Sequence, residues 1–322
     1  MPGDNPLEAQ RVIAGELPDF PHLAELPARG PGADITGRAA ALLVDIPAEV
    51  TPRGWRIAER PGRDLQRARS MLSSDLDALE ETLTGYEGLV KVQIAGPWTL
   101  AATLEQPRSL SAALADPGLV ADLASSLAEG AAAHVADVAK RLPRARLVIQ
   151  CDEPALPAVA AGAVPTPSGL SRIRAVEEEV LRDRLRQVLT AVGGYTIVHC
   201  CGNHYPFGMI EGVGADALSF DLSQLRRADF DPLAAVAEAG LGLLVGIPIN
   251  DSERSRPSAE SDARSVAEMW RTMALPPARC AEQVVVTPAC GLAGASPAGA
   301  RDALRRCREA ARILPEMMAE AS

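Results

Sequence analysis

The sequence predicts an α/β chain of the parallel (β/α)8 TIM-type barrel class, with strand 1 missing or incomplete at the N-terminus. Three observations lead there. Short apolar runs alternate with longer Ala/Leu/Glu/Arg segments of helical period, the pattern of right-handed strand–helix–strand crossovers. The strand candidates are continuously apolar, as expected where helices cover one face and a packed interior covers the other. Residues capable of chemistry gather at the C-terminal ends of these runs, the face on which barrels carry their sites.

Taken in order, 7-LEAQRVIAGE reads as a helix with no strand ahead of it. The stretch 17-LPDFPHLAELPARGPGAD is rich in Pro and Gly and reads as a long irregular loop over one barrel mouth. Strand candidates follow at 41-ALLVDIP, 90-VKVQIAG, 146-RLVIQCD, 195-YTIVHCC, 217-ALSFDL, 241-LGLLVGIP and 283-QVVVTP. Helical segments fall between them, near 62–83, 111–141, 171–191, 231–239, 260–273 and 297–319, bounded by Gly, Pro, Ser and Asp. Seven strands are visible where a closed barrel needs eight, and the shortfall is at the front. Either strand 1 is missing from this chain or the sheet is not a complete barrel. No internal repeat is present, and 47-PAEVTPRGW is too short for an interdomain linker, so residues 1–322 read as a single catalytic barrel domain.

The 322 residues are 47% hydrophobic but only 3% aromatic, an aliphatic bias suited to helices on parallel strands. A formal net charge of -10 and the absence of any Lys/Arg run argue against nucleic acid as a partner. A small substrate carrying an amine is not repelled. No apolar run reaches the length of a membrane span, and 1-MPGDNPLEAQ lacks the form of a signal peptide. Six cysteines in so long a chain are not a secreted disulfide framework, so a reducing cytoplasm is expected.

Cys201 and Cys290 each sit at the tip of a β-branched run, in 196-TIVHCCGNH and 284-VVVTPACGL. His199 lies two residues before Cys201, and 217-ALSFD ends on Asp221. Two thiolates, an imidazole and a carboxylate delivered at strand ends make a zinc site, and zinc there would hold a substrate thiol as a thiolate. Either cysteine alone reads equally as a small buried hydrophobe. Cys200, adjacent to Cys201, points to the opposite face of its strand and belongs to the core.

Asp152 and Glu153, in 149-IQCDEPALP, end another strand. They either hold a substrate ammonium by charge-assisted hydrogen bonds or start a loop or helix. Trp98, in 95-AGPWTLAA, either walls a pocket or fills the core, and Asp251, in 246-GIPINDSERSRP, either moves a proton or begins a turn.

In these motifs the chain resembles the catalytic barrel of cobalamin-independent methionine synthase, within the group that includes uroporphyrinogen decarboxylases and corrinoid-dependent thiol methyltransferases. His199-Cys200-Cys201 is similar to that family's His-x-Cys zinc pair, Asp221 stands where the family has a glutamate ligand, and Cys290 sits in a similar Pro-x-Cys-Gly-Leu setting. The segment 150-QCDEPAL resembles the Gln-x-Asp-Glu-Pro-Ala motif, which implies that Asp152 contacts a homocysteine amine. Departures accompany the likeness. Ala158 and Thr103 stand where the resemblance implies a folate-contacting glutamate and a folate-stacking tryptophan, and Asp251 stands for a proton-donating histidine. The Ile-Gly-Ser segment of the family would fall just ahead of Met1.

The resemblance implies a zinc-dependent methyltransferase that converts homocysteine to methionine. His199, Cys201, Asp221 and Cys290 would be the metal ligands; Asp152, Glu153 and Trp98 the substrate contacts; and Asp251 the catalytic proton donor. Methyltetrahydrofolate is the implied donor. The alternatives are a methyl-corrinoid carried by a partner protein, a porphyrinogen-type decarboxylase, or a zinc- and homocysteine-binding barrel without activity. The acidic charge and the Cys/His set disfavour the decarboxylase.

Overall fold

A computed structural model describes residues 1–249 and 257–319. The first half carries α1 (Pro6–Glu16), α2 (Ile35–Leu42), a hairpin of β1 (Ala48–Thr51) and β2 (Gly54–Ile57), then α3 (Arg63–Thr82), β3 (Leu89–Ala95), α4 (Pro97–Thr103) and α5 (Pro117–Arg141). The second half runs β4 (Arg146–Asp152), α6 (Leu156–Ala160), α7 (Glu178–Val192), β5 (Tyr195–Cys200), α8 (Phe207–Ile210), β6 (Ala217–Asp221) and α9 (Phe230–Glu238). It closes with β7 (Gly242–Ile247), α10 (Ala259–Thr272), α11 (Pro277–Gln283), β8 (Val284–Pro288) and α12 (Pro297–Ala319). Helix starts follow local chemistry. Asn5 accepts from the backbone N–H groups of Leu7 and Glu8 ahead of α1, and Asp116 does the same for Gly118 and Leu119 ahead of α5. Each is followed by a proline at the first helical position, where a missing N–H costs nothing.

Strands β3 to β8 pair in sequence order into one six-stranded parallel sheet, curled like half a barrel. The expected eight-stranded closed barrel is not what the described residues form. The run 41-ALLVDIP, read as the first strand, is instead the last turn of α2 and the segment after it. A four-residue apolar run fits a buried helix end as well as a strand. Asp34 decides between them by accepting from the Gly37 N–H and starting the helix. The loop at 17–34 is also more ordered than its composition suggests. The Lys91 N–H donates to Pro21 O and the Leu23 N–H donates to Lys91 O, both at 2.9 Å, so residues 21–23 lie beside β3 as a single parallel rung.

Period-two alternation sorts the sheet. Cys151, Val198, Cys200, Leu218, Phe220, Leu243 and Val245 point outward into a large core shared with the helices, which also buries Trp98 and Trp270. On the inner face Val148, Ile197, Ala217 and Leu244 form an apolar floor. Two residues further along β4, β5 and β6 come Gln150, His199 and Ser219, and at the strand ends Asp152, Cys201 and Asp221. The register sets Asp152 beside His199 and His199 beside Ser219. The inner face therefore changes from apolar floor to polar rim.

Candidate active site

The polar rim opens into a cavity of about 490 Å³, lined among others by Glu25, Lys91, Asp152, His199, Cys201 and Cys290. Volume and lining suit a small ligand with a few convergent polar groups.

The sulfurs of Cys201 and Cys290 lie 3.6 Å apart, from strand ends 89 residues distant in sequence. Both are free thiols. The S–H···S contact between them pulls the Cys290 thiol down to about 6 and pushes the Cys201 thiol up. His199 is half-buried, and burial followed by the charge of Lys91 holds its imidazole down at about 4, hence neutral. Its Nδ1 is 3.0 Å from Ser219 Oγ. Neutral imidazole and thiolate are the forms that bind metal.

Two sulfurs on one tetrahedral zinc, each about 2.3 Å from it, stand about 3.8 Å apart. The observed sulfur pair fits that spacing. The wider set is not assembled. Among the described residues no group of three or more His, Cys, Asp and Glu side chains is arranged to hold a metal ion. His199 is turned towards Ser219, and Asp221 accepts from the Ser223 N–H and Oγ at 2.8 and 2.7 Å, which caps the turn that follows β6. The Asp221 charge is felt at both His199 and Cys290.

Asp152 lines the cavity, with Gln150 Nε2 donating to its Oδ1 at 2.7 Å. Burial pushes its carboxyl up to about 6, against the pull of Lys91 and Gln150. Sequence reasoning missed its companion. Glu25, from the loop beside β3, reaches the same cavity and pairs with Arg38 at 3.2 Å. Burial raises Glu25 as well, and Asp152 raises it further. Two neighbouring carboxylates that each resist ionisation offer a place where a cation would be welcome. Glu25 sits in an aperiodic Pro-rich stretch that carries no local signal for such a role. Lys91 was missed as well, although a lysine inside the apolar run LVKVQIA is a signal the sequence carries.

Glu153 and Trp98 do not reach the cavity, contrary to the expectation that they contact substrate. Glu153 is the outward neighbour of Asp152 and is completely buried. Its carboxylate accepts from the N–H groups of Trp98 and Thr99 at 2.9 and 2.7 Å and from Thr99 Oγ1 at 2.7 Å, tying the start of α4 to the end of β4. A Cβ at Gly96 would overlap that carboxylate, so the Gly-Pro turn exists to admit it. Trp98 is buried with its Nε1 donating to Leu181 O at 3.0 Å, so its indole is packing. Glu153→Ala, which strands three buried donors, is expected to lower the unfolding free energy by about 3–4 kcal/mol in urea titrations. A loss below about 1 kcal/mol, less than one stranded donor costs, would contradict this role. Asp251 lies outside the described residues.

No curated protein matches the chain. Among solved structures, a B12-independent methionine synthase from Shewanella sp. W3-18-1 in complex with selenomethionine aligns with TM-score 0.60 at 15% identity, covering 98% of this chain and 89% of that one. A D-psicose 3-epimerase in the presence of D-fructose aligns with TM-score 0.39 at 10% identity, over 76% of this chain and 84% of that one. Among the described residues no helix is long and apolar enough to cross a membrane. The family model described as "Cobalamin-independent synthase, Catalytic domain" matches residues 8–313. It gives no support to a corrinoid-carrying partner: the chain belongs to the cobalamin-independent synthase catalytic-domain family, and it is an enzyme.

Proposed function

We propose that this enzyme methylates the sulfur of a small amino thiol, homocysteine, to give methionine, with methyltetrahydrofolate as donor. The observation that carries the reading is the placement of a sulfur pair at zinc-like spacing in the same cavity as the carboxylates of Asp152 and Glu25. The sulfurs suit a metal-bound thiolate and the carboxylates suit an ammonium. The structural relative from Shewanella holds selenomethionine, an amino acid of the product's class.

Cys201 and Cys290 would hold zinc, with His199 and Asp221 completing the set. Zinc, when bound, stabilises the substrate thiol as a thiolate at neutral pH and so makes it a nucleophile. The chain's own residues do the rest. Asp152 and Glu25 take the ammonium by charge-assisted hydrogen bonds, which fixes the amino acid and leaves its thiol for the sulfur pair. Ser219 holds the His199 ring in place by contact with Nδ1. The apolar floor of Val148, Ile197, Ala217 and Leu244 keeps water from beneath the reacting sulfur. Ala158 and Thr103, where the resemblance implies a glutamate and a tryptophan for folate, leave the donor held by fewer contacts.

The reading is tested with zinc-loaded protein, homocysteine, and mono- and triglutamyl methyltetrahydrofolate, scoring methionine by mass spectrometry. Methionine formation with either donor is the expected result. Homocysteine that binds in calorimetry but is never methylated would overturn the reading.

A further inference from the structure

Of the chain's 32 Lys and Arg residues only two are lysines. Lys140 is on the exposed end of α5, and Lys91 is in the middle of β3, pointing into the half-barrel. Its place is fixed on one side by the backbone rung to Pro21 and Leu23 and on the other by β4. From there Nζ donates to Gln150 Oε1 at 2.8 Å, and Gln150 Nε2 donates to Asp152 Oδ1 at 2.7 Å. The three groups climb the inner face in steps of two residues: Lys91 is level with Val148, then come Gln150 and Asp152.

An ammonium has donors and no acceptor, so the Gln150 carbonyl must face Lys91 and its amide must face Asp152. That removes the ambiguity of the amide and makes Asp152 Oδ1 an acceptor fixed from below. An arginine, with its broad fork, would spread its donors over several partners, whereas the compact lysine head commits to one. Lys91 also attracts both Asp152 and Glu25, offsetting the repulsion between those carboxylates.

We propose that Lys91 and Gln150 are positioning residues: through one hydrogen-bonded chain they hold the Asp152 carboxylate in the rotamer that receives the ammonium of an amino thiol. This rests on the reading given under Proposed function, in which Asp152 meets that ammonium.

The test is calorimetry on zinc-loaded protein with two probes: homocysteine, and 4-mercaptobutyrate, which keeps the thiol and carboxylate and lacks the amine. Wild-type protein is expected to prefer homocysteine by about a hundredfold, as two charge-assisted hydrogen bonds imply. Lys91→Met is expected to cost about tenfold in homocysteine affinity and to leave 4-mercaptobutyrate within about twofold, with Lys91→Arg recovering part of the loss. Gln150→Met severs the same chain without touching the lysine and is expected to give the same selective loss, and the double variant is expected to lose no more than either single one. Equal losses for both probes, or homocysteine affinity unchanged in both single variants, would overturn the inference while leaving the amine reading intact. A wild-type protein that binds both probes equally would overturn the amine reading itself, and the inference with it.

Discussion

Cys290→Ser is expected to strip the protein of zinc and to slow methyl transfer by about a thousandfold or more, since loss of metal charge stabilisation is worth several kcal/mol. The site chosen makes the test clean. Cys290 is exposed at the end of β8, so serine replaces it without a cavity, and any loss reflects ligation and not packing. Its partner sulfur is 3.6 Å away and would remain. A single soft ligand then faces the ion where two stood, and a hydroxyl is a poor substitute for a thiolate. Zinc content after dialysis, measured by inductively coupled plasma mass spectrometry, is the primary readout and is independent of turnover. Cys280→Ser is the control, because Cys280 is buried in α11 away from the cavity. Full zinc in the Cys290 variant, with or without activity, would remove the sulfur pair from any account of the metal.

The site's sulfur pair was legible in the sequence because β-branched runs ending in Cys mark their own C-terminal ends, where a half-barrel gathers its side chains. Six of the seven strand candidates form the sheet for the same reason: buried parallel strands are continuously apolar. Parity was the signal most usefully applied and most costly to omit. Applied to Cys200 and Cys201, it separated a core residue from a rim residue, and the structure agrees. Applied to Asp152 and Glu153 it would have done likewise, since adjacent strand residues cannot both face the cavity. Glu25 had no such signal. It reaches the rim because a single backbone rung fixes residues 21–23 against Lys91, a long-range pairing that no local period encodes. The turn of the His199 side chain towards Ser219 was equally invisible, because it rests on a partner 20 residues away, whereas the Asp221 contact with Ser223 is a local turn motif that the sequence does carry.

Asp152→Asn is expected to lower homocysteine affinity by about ten- to thirtyfold and to weaken the acid dependence of its preference over 4-mercaptobutyrate, which is itself bound as before. Burial lifts the Asp152 carboxyl from its usual value of 3.8 to about 6. Above that value it is charged and can hold an ammonium; below it the proton removes the attraction. The ammonium stays charged throughout this range, so wild-type preference for homocysteine should be level above about pH 7 and fall with each unit below 6. The ratio of the two affinities isolates this effect, because metal and thiol titrate alike for both probes. Stability should move in the opposite sense. A carboxyl raised on folding favours the fold most fully below 3.8, and that contribution is lost as pH rises through 6. At neutral pH the ionised Asp152 therefore works against the fold, and asparagine, neutral and able to keep the contact with Gln150, is expected to raise the melting temperature as it destroys binding. A variant that loses affinity for both probes and melts lower would mark Asp152 as structural, whereas gain in stability with selective loss of the amine is the signature of a residue kept for its ligand.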